Sequence, residues 1–166
     1  SLATIGADGS PNVRTVLLKG VDERGFGFFT NYESRKGREL AASPRASLCF
    51  LWTNRQRQVV VRGIVTKLPR EEAESYFAVR PYGHKIGAWA SKQSEVIPNR
   101  EWLEGRAAEL RRTFPEDQPV PCPEFWGGYA LQPQELEFWQ GRPSRLHDRL
   151  LYRLVNGVWQ RERLSP

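Results

Sequence analysis

Short runs of hydrophobic residues separated by turn residues fill the first 68 positions of the chain, a pattern typical of β-strands. Residues 2–20 contain two such runs around an Asp-Gly turn, which predicts a hairpin whose second strand extends through Lys19. Gly63 interrupts a run that is rich in β-branched residues and is a candidate for a bulge. We expect a third strand within 21–31 and two further strands at 45–53 and 57–68.

The hydrophobic period changes to that of a helix in several places. Within 33–44, Ser34 can cap a short helix, Leu40 and Ala41 can face inward, and Pro44 ends it. Further helices are predicted, in chain order, within 69–81, 83–94 and 98–114, followed by a proline-rich loop at 115–125.

The C-terminal part returns to strand-like patterns at 126–141, 145–155 and 158–164, with an Asn-Gly hairpin turn before the last. The sequence shows no repeat, low-complexity tract or interdomain linker. It therefore predicts one domain over residues 1–166, mainly β and antiparallel, in which a barrel or sheet carries helical insertions. Because the chain starts inside a strand-like run and contains no methionine, we expect a native N-terminal segment to precede Ser1.

Composition narrows the function only a little further. Hydrophobic residues make up 39% of the chain, enough for a packed core. The net charge of +6 suits an anionic partner, which could be nucleic acid, a phosphorylated metabolite or a phosphate-bearing cofactor. Cys49 and Cys122 lack the spacing of a metal site, and we interpret both as reduced residues. No stretch approaches the roughly 20 apolar residues of a membrane span.

Several chemistries lack their sequence signatures. The chain has no glycine-rich dinucleotide fingerprint, no phosphate-binding P-loop and no nucleophile-elbow motif. Its two histidines and two cysteines are widely separated, which argues against a zinc site. The sequence therefore favours neither dinucleotide, P-loop, serine hydrolase nor metal chemistry.

Residues 14–19, Arg-Thr-Val-Leu-Leu-Lys, end the predicted second strand with a cation. Strand alternation would divide the six side chains into two faces, Arg14, Val16 and Leu18 on one and Thr15, Leu17 and Lys19 on the other. Lys19 could then reach a ligand, or it could be an edge lysine that deters pairing with other chains. The pattern leaves both interpretations open.

Two other stretches place cations near helix ends. Arg35 and Lys36 fall in the first turn of a predicted helix, where the helix dipole disfavours cations unless an anion binds there. Tyr76 and Arg80 lie four residues apart on one helix face, with His84 close by, and could form a second anion pocket. Each stretch is also compatible with an ordinary solvated helix surface.

Residues 145–149, Arg-Leu-His-Asp-Arg, contain one of the two histidines. If this segment is extended, Arg145, His147 and Arg149 share one face, and Asp148 lies on the other with Leu146. Alternation therefore argues against a catalytic couple of His147 and Asp148. The basic face suits an electron-rich ligand with oxygen acceptors, or it is the solvated outer face of a sheet.

Taken in order, these stretches resemble the pyridoxamine (pyridoxine) 5′-phosphate oxidase family. The resemblance spans nearly the whole chain and rests on RTVLLK, FFTNYESRKGREL, RQVVVRG, YFAVRP, IGAWASKQS, WGGY, EFWQG, RLHDR and ERLSP. It implies an FMN-binding split β-barrel, a homodimer with flavin sites at the subunit interface, and a cytoplasmic enzyme without a nucleic-acid or membrane partner. The implied reaction oxidises C4′ of pyridoxamine or pyridoxine 5′-phosphate to the aldehyde, with hydride transfer to flavin N5 and reoxidation by O₂ to H₂O₂.

The resemblance also implies roles for individual residues. Those that would hold FMN, some of them from the partner subunit, are Arg14, Thr15, Val16, Leu17, Leu18, Lys19, Phe29, Thr30, Arg35, Lys36, Gln58, Gln93, Ser94, Trp139 and Arg149. Those that would hold the phosphorylated pyridine substrate are Lys19, Tyr76, Arg80, His84, Arg145, Leu146 and His147. Arg145 and His147 are the catalytic candidates because they match positions that meet the pyridine ring. No metal is implied.

One position departs from the family pattern. His84 stands where many members have a serine, and although both groups can donate to a phosphate, they differ in size and charge. Two other functions stay open. One is a flavin oxidase of the same fold that acts on another ring, such as a phenazine precursor. The other is a non-enzymatic module that binds flavin or nucleic acid.

Overall fold

The computed structural model describes all residues from 1 to 166 and contains nine strands and four α-helices. The strands are β1 (Leu2–Ile5), β2 (Pro11–Arg14), β3 (Gly20–Asp22), β4 (Gly25–Asn31), β5 (Arg45–Trp52), β6 (Arg57–Lys67), β7 (Trp126–Gln140), β8 (Asp148–Val155) and β9 (Val158–Leu164). The helices are α1 (Arg35–Ala42), α2 (Arg70–Ala78), α3 (Tyr82–Ala90) and α4 (Arg100–Thr113). Short 3₁₀ turns occupy Thr53–Arg55 and Pro143–Arg145.

The strands form one sheet in the order β2-β1-β5-β6-β7-β4-β3, and β8 and β9 continue from β7. The hairpins β1–β2, β3–β4, β5–β6 and β8–β9 are antiparallel, as is the pair β7–β8. This architecture confirms the predicted fold class, which is mainly β and antiparallel with helical insertions. None of the four helices is long and apolar enough to cross a lipid bilayer.

The chain divides into two compact units, each made of more than one segment. Unit 1 contains residues 1–27, 39–66 and 130–166, and unit 2 contains residues 28–38 and 67–129. The boundaries fall within β4, α1, β6 and β7, so no linker separates the units in sequence. The description of residues 1–166 as one domain therefore stays a prediction.

The core of unit 1 is built from the inward positions of its strands. Leu2, Leu48, Val61 and Leu151 are each buried between more exposed neighbours, as the two-residue period of a strand requires. Leu131 instead ends a stretch of β7 that is buried throughout from Trp126. β1 contacts both β2 and β5, with Leu2 opposite Arg14 on one side and Leu48 on the other. The sequence pattern predicted strands in these regions, and the structure shows which of their residues form the core.

The core of unit 2 is aromatic and helical. Phe77 of α2, Ile86 of α3, Val120 of the proline-rich loop and Trp126 of β7 form one buried cluster. Partly buried residues pack around it, among them Phe29, Tyr76, Trp89, Leu110 and Phe114. The predicted helices within 69–81, 83–94 and 98–114 are confirmed, and α4 begins at an Asn99 cap whose Oδ1 accepts from the Trp102 N–H at 2.9 Å.

Three details of the sequence prediction are wrong. β2 ends at Arg14 rather than Lys19, because Arg14 already pairs with Leu2, the first residue of β1. Ala41 is exposed, since the inward face of α1 follows the helical spacing of Lys36, Glu39 and Leu40. Gly63 marks no bulge in the ladder of β5 with β6, because that pairing runs past it without interruption.

The prediction that 145–147 begins a strand is also wrong. β8 starts at Asp148, and Ser144 and Arg145 have left-handed φ values of 57° and 60°. A left-handed backbone cannot continue a pleated strand, so strand alternation does not apply to Arg145, Leu146 and His147.

The first testable prediction concerns Gly63. A Cβ atom at this position would lie 1.9 Å from the carbonyl oxygen of Gln132, so the two backbones would have to separate. We expect Gly63→Ala to lower the free energy of unfolding by about 1–3 kcal/mol, the usual cost of overpacking. Denaturant titration at fixed protein concentration measures this loss.

Gly105→Ala in α4 is the matched control, because its Cβ would meet no atom within 4 Å. That variant should be neutral or gain up to about 1 kcal/mol from the higher helix propensity of alanine. Equal stability of the two variants would contradict the close approach at Gly63.

Candidate active site

A buried lysine lies at the start of α1 in unit 2. Ser34 caps this helix, since its Oγ accepts from the Gly37 N–H at 3.3 Å and donates to the Asn31 carbonyl at 2.6 Å. Lys36 folds back into the first turn and is only 7% exposed. Its ammonium group donates to Thr30 Oγ1 at 3.1 Å and to Gln93 Oε1 at 3.2 Å. The fold thus brings Gln93 to Thr30 and Lys36, from which it is distant in sequence, and each of the three has a predicted role in binding FMN.

An aromatic stack lies beside a second cation in the same unit. Phe29 of β4 stacks on Tyr76 of α2 at 4.4 Å and on Trp126 of β7 at 5.4 Å between ring centroids. The guanidinium carbon of Arg80 lies 4.7 Å from the Trp126 ring centroid, within the range of a cation–π interaction.

Arg80 Nη1 is buried and donates no hydrogen bond. Burial lowers the pKa of this guanidinium, although arginine stays charged in proteins. An unsatisfied buried donor costs roughly 1–3 kcal/mol and is uncommon in folded proteins. We therefore interpret Arg80 as a residue prepared to bind an anion.

Unit 1 contains a pocket of about 640 Å³. This volume lies within the roughly 300–1,000 Å³ of typical small-molecule sites. Gln58 of β6 and Trp139 of β7, both predicted to contact FMN, line the pocket. The other lining residues are Trp52, Arg55, Arg57, Val59, Phe138, Gln140, Arg142, Asp148, Leu150 and Arg163. Aromatic walls and a group of arginines suit a planar anionic ligand.

The loop between β7 and β8 positions His147. The Arg142 backbone N–H donates to Nδ1 of His147 at 3.1 Å, and the imidazole lies 4.8 Å from the Trp139 ring centroid. Ser144 and Arg145 sit in left-handed conformations that cost roughly 1–2 kcal/mol each for non-glycine residues. Strained backbone of this kind persists where the surrounding contacts hold it, and it is frequent at functional sites.

Asp148 contacts this loop without contacting the histidine. Its Oδ2 accepts from Arg142 Nε and its Oδ1 from Arg163 Nη1, each at 2.7 Å. These two hydrogen bonds lower the pKa of the carboxyl group and keep it ionised. A direct pair of His147 with Asp148 is absent, as expected, but the reason is the two arginine partners of Asp148 and not strand alternation.

Two arginines with predicted FMN roles are held by buried carboxylates in unit 1. Arg149 Nε donates to Glu137 Oε1 at 2.8 Å, and this hydrogen bond raises the pKa of Arg149. Arg14 Nη2 donates to Glu39 Oε2 at 3.0 Å, and Glu39 Oε2 also accepts from the Thr4 hydroxyl at 2.5 Å. Each guanidinium therefore has a defined orientation before any ligand binds.

The predicted site residues fall into both units. Unit 1 contains Arg14, Thr15, Val16, Leu17, Leu18, Lys19, Gln58, Trp139, Arg145, Leu146, His147 and Arg149, and unit 2 contains Phe29, Thr30, Arg35, Lys36, Tyr76, Arg80, His84, Gln93 and Ser94. Many of these are exposed, namely Thr15, Leu17, Leu18, Lys19, Arg35, His84, Gln93, Ser94, Arg145 and Leu146.

Sequence reasoning missed several residues that organise the site. Trp126 was noted only as part of WGGY, yet its ring contacts Phe29, Tyr76 and Arg80. No sequence pattern indicates Arg142, because the group that it donates to His147 is a backbone N–H, which every residue except proline carries. Glu137 could have been found from strand spacing, since a carboxylate in a strand-like run beside aromatic residues requires a cationic partner.

Tyr129 is a second buried group without a hydrogen-bond partner. Its ring is 3% exposed and packs between Phe28 and Tyr32, and its hydroxyl has no acceptor or donor nearby. Burial raises the pKa of this phenol to about 12. The hydroxyl therefore stays protonated at all physiological pH values.

Comparison with known families gives two matches that together cover most of the chain. Residues 1–114 match the family model described as pyridoxamine 5′-phosphate oxidase. Residues 126–166 match the model described as the pyridoxine 5′-phosphate oxidase C-terminal dimerisation region.

Two curated relatives carry the name pyridoxine/pyridoxamine 5′-phosphate oxidase. The protein from Pseudomonas paraeruginosa is 59% identical over 166 residues, which cover 100% of this chain and 77% of the relative. The protein from Cupriavidus taiwanensis is 59% identical over 167 residues, which cover 100% of this chain and 78% of the relative.

Solved structures with the same fold include PhzG from Burkholderia lata 383 in complex with tetrahydrophenazine-1-carboxylic acid. Its TM-score is 0.92 at 34% identity, over 99% of this chain and 80% of that one. A pyridoxamine 5′-phosphate oxidase-related, FMN binding protein from Nostoc punctiforme has a TM-score of 0.77 at 19% identity, over 99% of this chain and 86% of that one. The second likeness is evidence for the fold alone.

A second testable prediction concerns the alkaline stability that Tyr129 controls. An unfolded tyrosine titrates near 10, so between about pH 10 and pH 12 the unfolded chain loses this proton before the folded protein does. The contribution of Tyr129 to the free energy of unfolding is therefore complete below about pH 10 and declines as pH rises to 12. At pH 11 the loss amounts to about 1 kcal/mol.

We expect Tyr129→Phe to remove this alkaline loss and to leave stability at pH 8 equal or slightly higher, because the hydroxyl has no partner. Denaturant midpoints at pH 8 and pH 11 test this, with the partly exposed Tyr152→Phe as control. Equal alkaline losses in Tyr129→Phe and the parent protein would contradict the assignment.

Proposed function

The chain belongs to the pyridoxamine 5′-phosphate oxidase family, and from this premise we propose how its residues divide the work of that enzyme. The protein oxidises pyridoxamine 5′-phosphate and pyridoxine 5′-phosphate to pyridoxal 5′-phosphate and uses FMN as its cofactor. The match of residues 126–166 to a dimerisation region indicates a homodimer. O₂ as the electron acceptor and the role of each residue are our proposal.

The donor set of unit 2 fits the phosphate of FMN. Lys36 contributes a buried positive charge, Thr30 a hydroxyl group and Arg35 an exposed guanidinium at the start of α1. Cations and hydroxyls at a helix N-terminus are the ordinary ligands of a phosphate group. We propose that these residues hold the FMN phosphate, with Gln93 and Ser94 beside them and Phe29 along the cofactor.

The pocket of unit 1 fits a flat ring system. Trp139 offers an aromatic wall and Gln58 an amide that can donate or accept. Arg149 does not line this pocket, but its guanidinium is oriented by Glu137. We propose that these three residues contact the flavin ring, and that residues 14–19 lie along it. The dimer allows the two groups of one flavin site to come from different subunits.

The observation that carries the substrate proposal is the buried Arg80 donor without a hydrogen-bond partner. Arg80 lies on Trp126 and shares that indole with Tyr76, so both side chains are fixed before the substrate arrives. We propose that Arg80 and Tyr76, with Lys19 and His84, bind the substrate phosphate. Binding energy at this remote group then holds the reacting carbon in place.

The loop residues act on the pyridine ring. Arg145 packs against the ring and limits its rotation, and the backbone of Leu146 follows it. His147 has an acceptor at Nδ1, so its proton is on Nε2 and can be donated to an oxygen substituent of the ring. When bound, FMN would supply the redox chemistry as acceptor of the hydride from C4′, and O₂ would take up the two electrons to give H₂O₂; with the amine substrate, water would then release ammonia and leave the aldehyde.

The direct test is spectroscopic. Purified protein with FMN should show a flavin spectrum that bleaches under anaerobic pyridoxamine 5′-phosphate and returns on admission of air, with H₂O₂ and pyridoxal 5′-phosphate as products. A chain that binds FMN but is not reduced by either phosphorylated pyridine would overturn the proposal.

A second candidate function follows from the likeness to PhzG, whose structure holds a phenazine compound. The same flavin site would then oxidise a reduced phenazine precursor. Comparison of the two turnover rates decides between these functions. A higher turnover with tetrahydrophenazine-1-carboxylic acid than with pyridoxine 5′-phosphate would favour the phenazine reaction.

A third testable prediction addresses FMN binding. Arg35→Ala/Lys36→Ala should weaken FMN binding by about tenfold or more, because charge-assisted hydrogen bonds contribute roughly 1.5–3 kcal/mol. Fluorescence titration of the apoprotein with FMN measures the affinity. Arg38→Ala is the matched control, since its guanidinium on the same helix donates to the Glu33 carbonyl. Parental affinity in the double variant would remove these residues from the phosphate site.

A fourth prediction addresses turnover. Arg145→Ala should lower kcat by roughly 10–100-fold through loss of substrate orientation, while FMN affinity changes less than about threefold. Arg161→Ala, an exposed arginine of β9, is the control and should behave as the parent protein. Stopped-flow reduction of the flavin reports the affected step. Unchanged turnover in Arg145→Ala would refute the role of this residue.

A further inference from the structure

The loop between β7 and β8 contains a chain of contacts that links Asp148 to His147 through the backbone of Arg142. We propose that Asp148 and Arg142 are positioning residues that fix the tautomer and the orientation of His147. This inference rests on the proposed function, in which His147 donates to the pyridine ring substituent. Neither residue touches the substrate in this proposal.

The tautomer follows from the chemistry of the donor. A backbone N–H can only donate, so a hydrogen bond from the Arg142 N–H to Nδ1 requires an unprotonated Nδ1. The neutral imidazole then carries its proton on Nε2. In many enzymes a carboxylate accepts a hydrogen bond from a histidine and so fixes its tautomer. The Arg142 amide also fixes the tautomer, but it does so by donating to Nδ1, which selects the Nε2–H form.

The Arg142 amide needs a fixed position for this selection to work. One side of the loop is tied by the Gly141 N–H, which donates to the Gln56 carbonyl at 2.7 Å. On the other side, the Arg142 side chain donates to Asp148 at 2.7 Å. Between these ties, Ser144 and Arg145 adopt left-handed backbone conformations that an untethered loop would leave. Asp148 is therefore the outer anchor of the loop.

Asp148 is itself held by the sheet. It is the first residue of β8 and pairs with Gln140 across the β7–β8 ladder. Its second oxygen accepts from Arg163 on β9, also at 2.7 Å. Three strands therefore define the position of the carboxylate, which gives the Arg142 side chain a rigid acceptor. Because the side chain is fixed, the backbone N–H of Arg142 stays at hydrogen-bonding distance from His147.

The chain makes this proposal accessible to NMR, because it has only two histidines. We would record long-range ¹H–¹⁵N spectra of the ¹⁵N-histidine-labelled FMN holoenzyme at about pH 8, where imidazoles are ordinarily neutral. A His84→Gln sample assigns the two imidazoles. In the parent protein, His147 should show a single Nε2–H tautomer, with Nδ1 at the shift of an unprotonated nitrogen.

Asp148→Asn should shift the His147 nitrogens toward the average of the two tautomers and leave His84 unchanged. Glu162→Gln is the matched control, because it removes an ion pair of similar exposure with Arg153 on the same pair of strands. The control should leave both imidazoles as they are. An unchanged His147 spectrum in Asp148→Asn would overturn the proposal.

Kinetics of double variants add a second readout. We expect His147→Ala to lower kcat roughly tenfold. If Asp148 acts through His147, Asp148→Asn cannot lower kcat by more than this. In a His147→Ala background, Asp148→Asn should change kcat by less than about 1.5-fold, which is the signature of two residues that act through one interaction. Full additivity of the two losses would contradict the proposal.

These readouts separate this inference from the proposed function. If the holoenzyme oxidises pyridoxine 5′-phosphate and His147 keeps its tautomer in Asp148→Asn, the positioning role fails and the enzyme assignment stands. If His147 changes tautomer but His147→Ala retains full turnover, the structural link is supported and the substrate role of His147 fails.

Discussion

The close approach of two neighbouring strands to β7 is the constraint on which unit 1 depends. A Cβ atom at Gly25 of β4 would lie 2.0 Å from the Leu131 carbonyl oxygen, and one at Gly63 of β6 would lie 1.9 Å from the Gln132 carbonyl oxygen. The backbone of Leu131 and Gln132 in β7 therefore leaves no space for a side chain at Gly25 on one neighbouring strand or at Gly63 on the other. This contact fixes the strand that carries Phe138 and Trp139 to the pocket, while the other end of β7 carries Trp126 into the aromatic core of unit 2.

A second theme is the use of acidic residues to orient arginines. Glu39 holds Arg14, Glu137 holds Arg149 and Asp148 holds Arg142. Guanidinium groups are always charged and recognise carboxylates through a planar fork of donors, so such pairs define direction as well as distance. Because the chain has a net charge of +6, these acids leave the site basic. Their main effect is to restrict the orientation of each guanidinium group.

The sequence predicted the regular parts of the fold because their signals are local. Hairpins with Asp-Gly and Asn-Gly turns, helices with caps and prolines at their ends, and alternating core residues all follow from short-range sterics and hydrophobic period. The end of β2 at Arg14 and the close approach at Gly63 depend on partner strands that are distant in sequence, so no local pattern contains them.

The site shows the same division. The residue types at Lys36, Arg80 and His147 indicated ligand binding, and the family resemblance implied a role for each of them. The residues that surround them could be identified only from the structure. The loop before β8 is the clearest example: its two left-handed residues are serine and arginine, which have no preference for that conformation, and contacts with Gln56, His147 and Asp148 hold it. Local propensity fails at this place because tertiary contacts override it.

The unpaired donor on Arg80 has a consequence for how much stability this protein can have. The Nη1 atom of its guanidinium has already lost its water on folding, so an incoming phosphate that reaches this atom gains a hydrogen bond without first having to displace water from it. The same desolvation weakens the folded state in the absence of substrate. Replacing Arg80 with an apolar residue of similar shape should therefore yield a sturdier but inactive protein. At this position, selection for thermal robustness and selection for activity oppose each other.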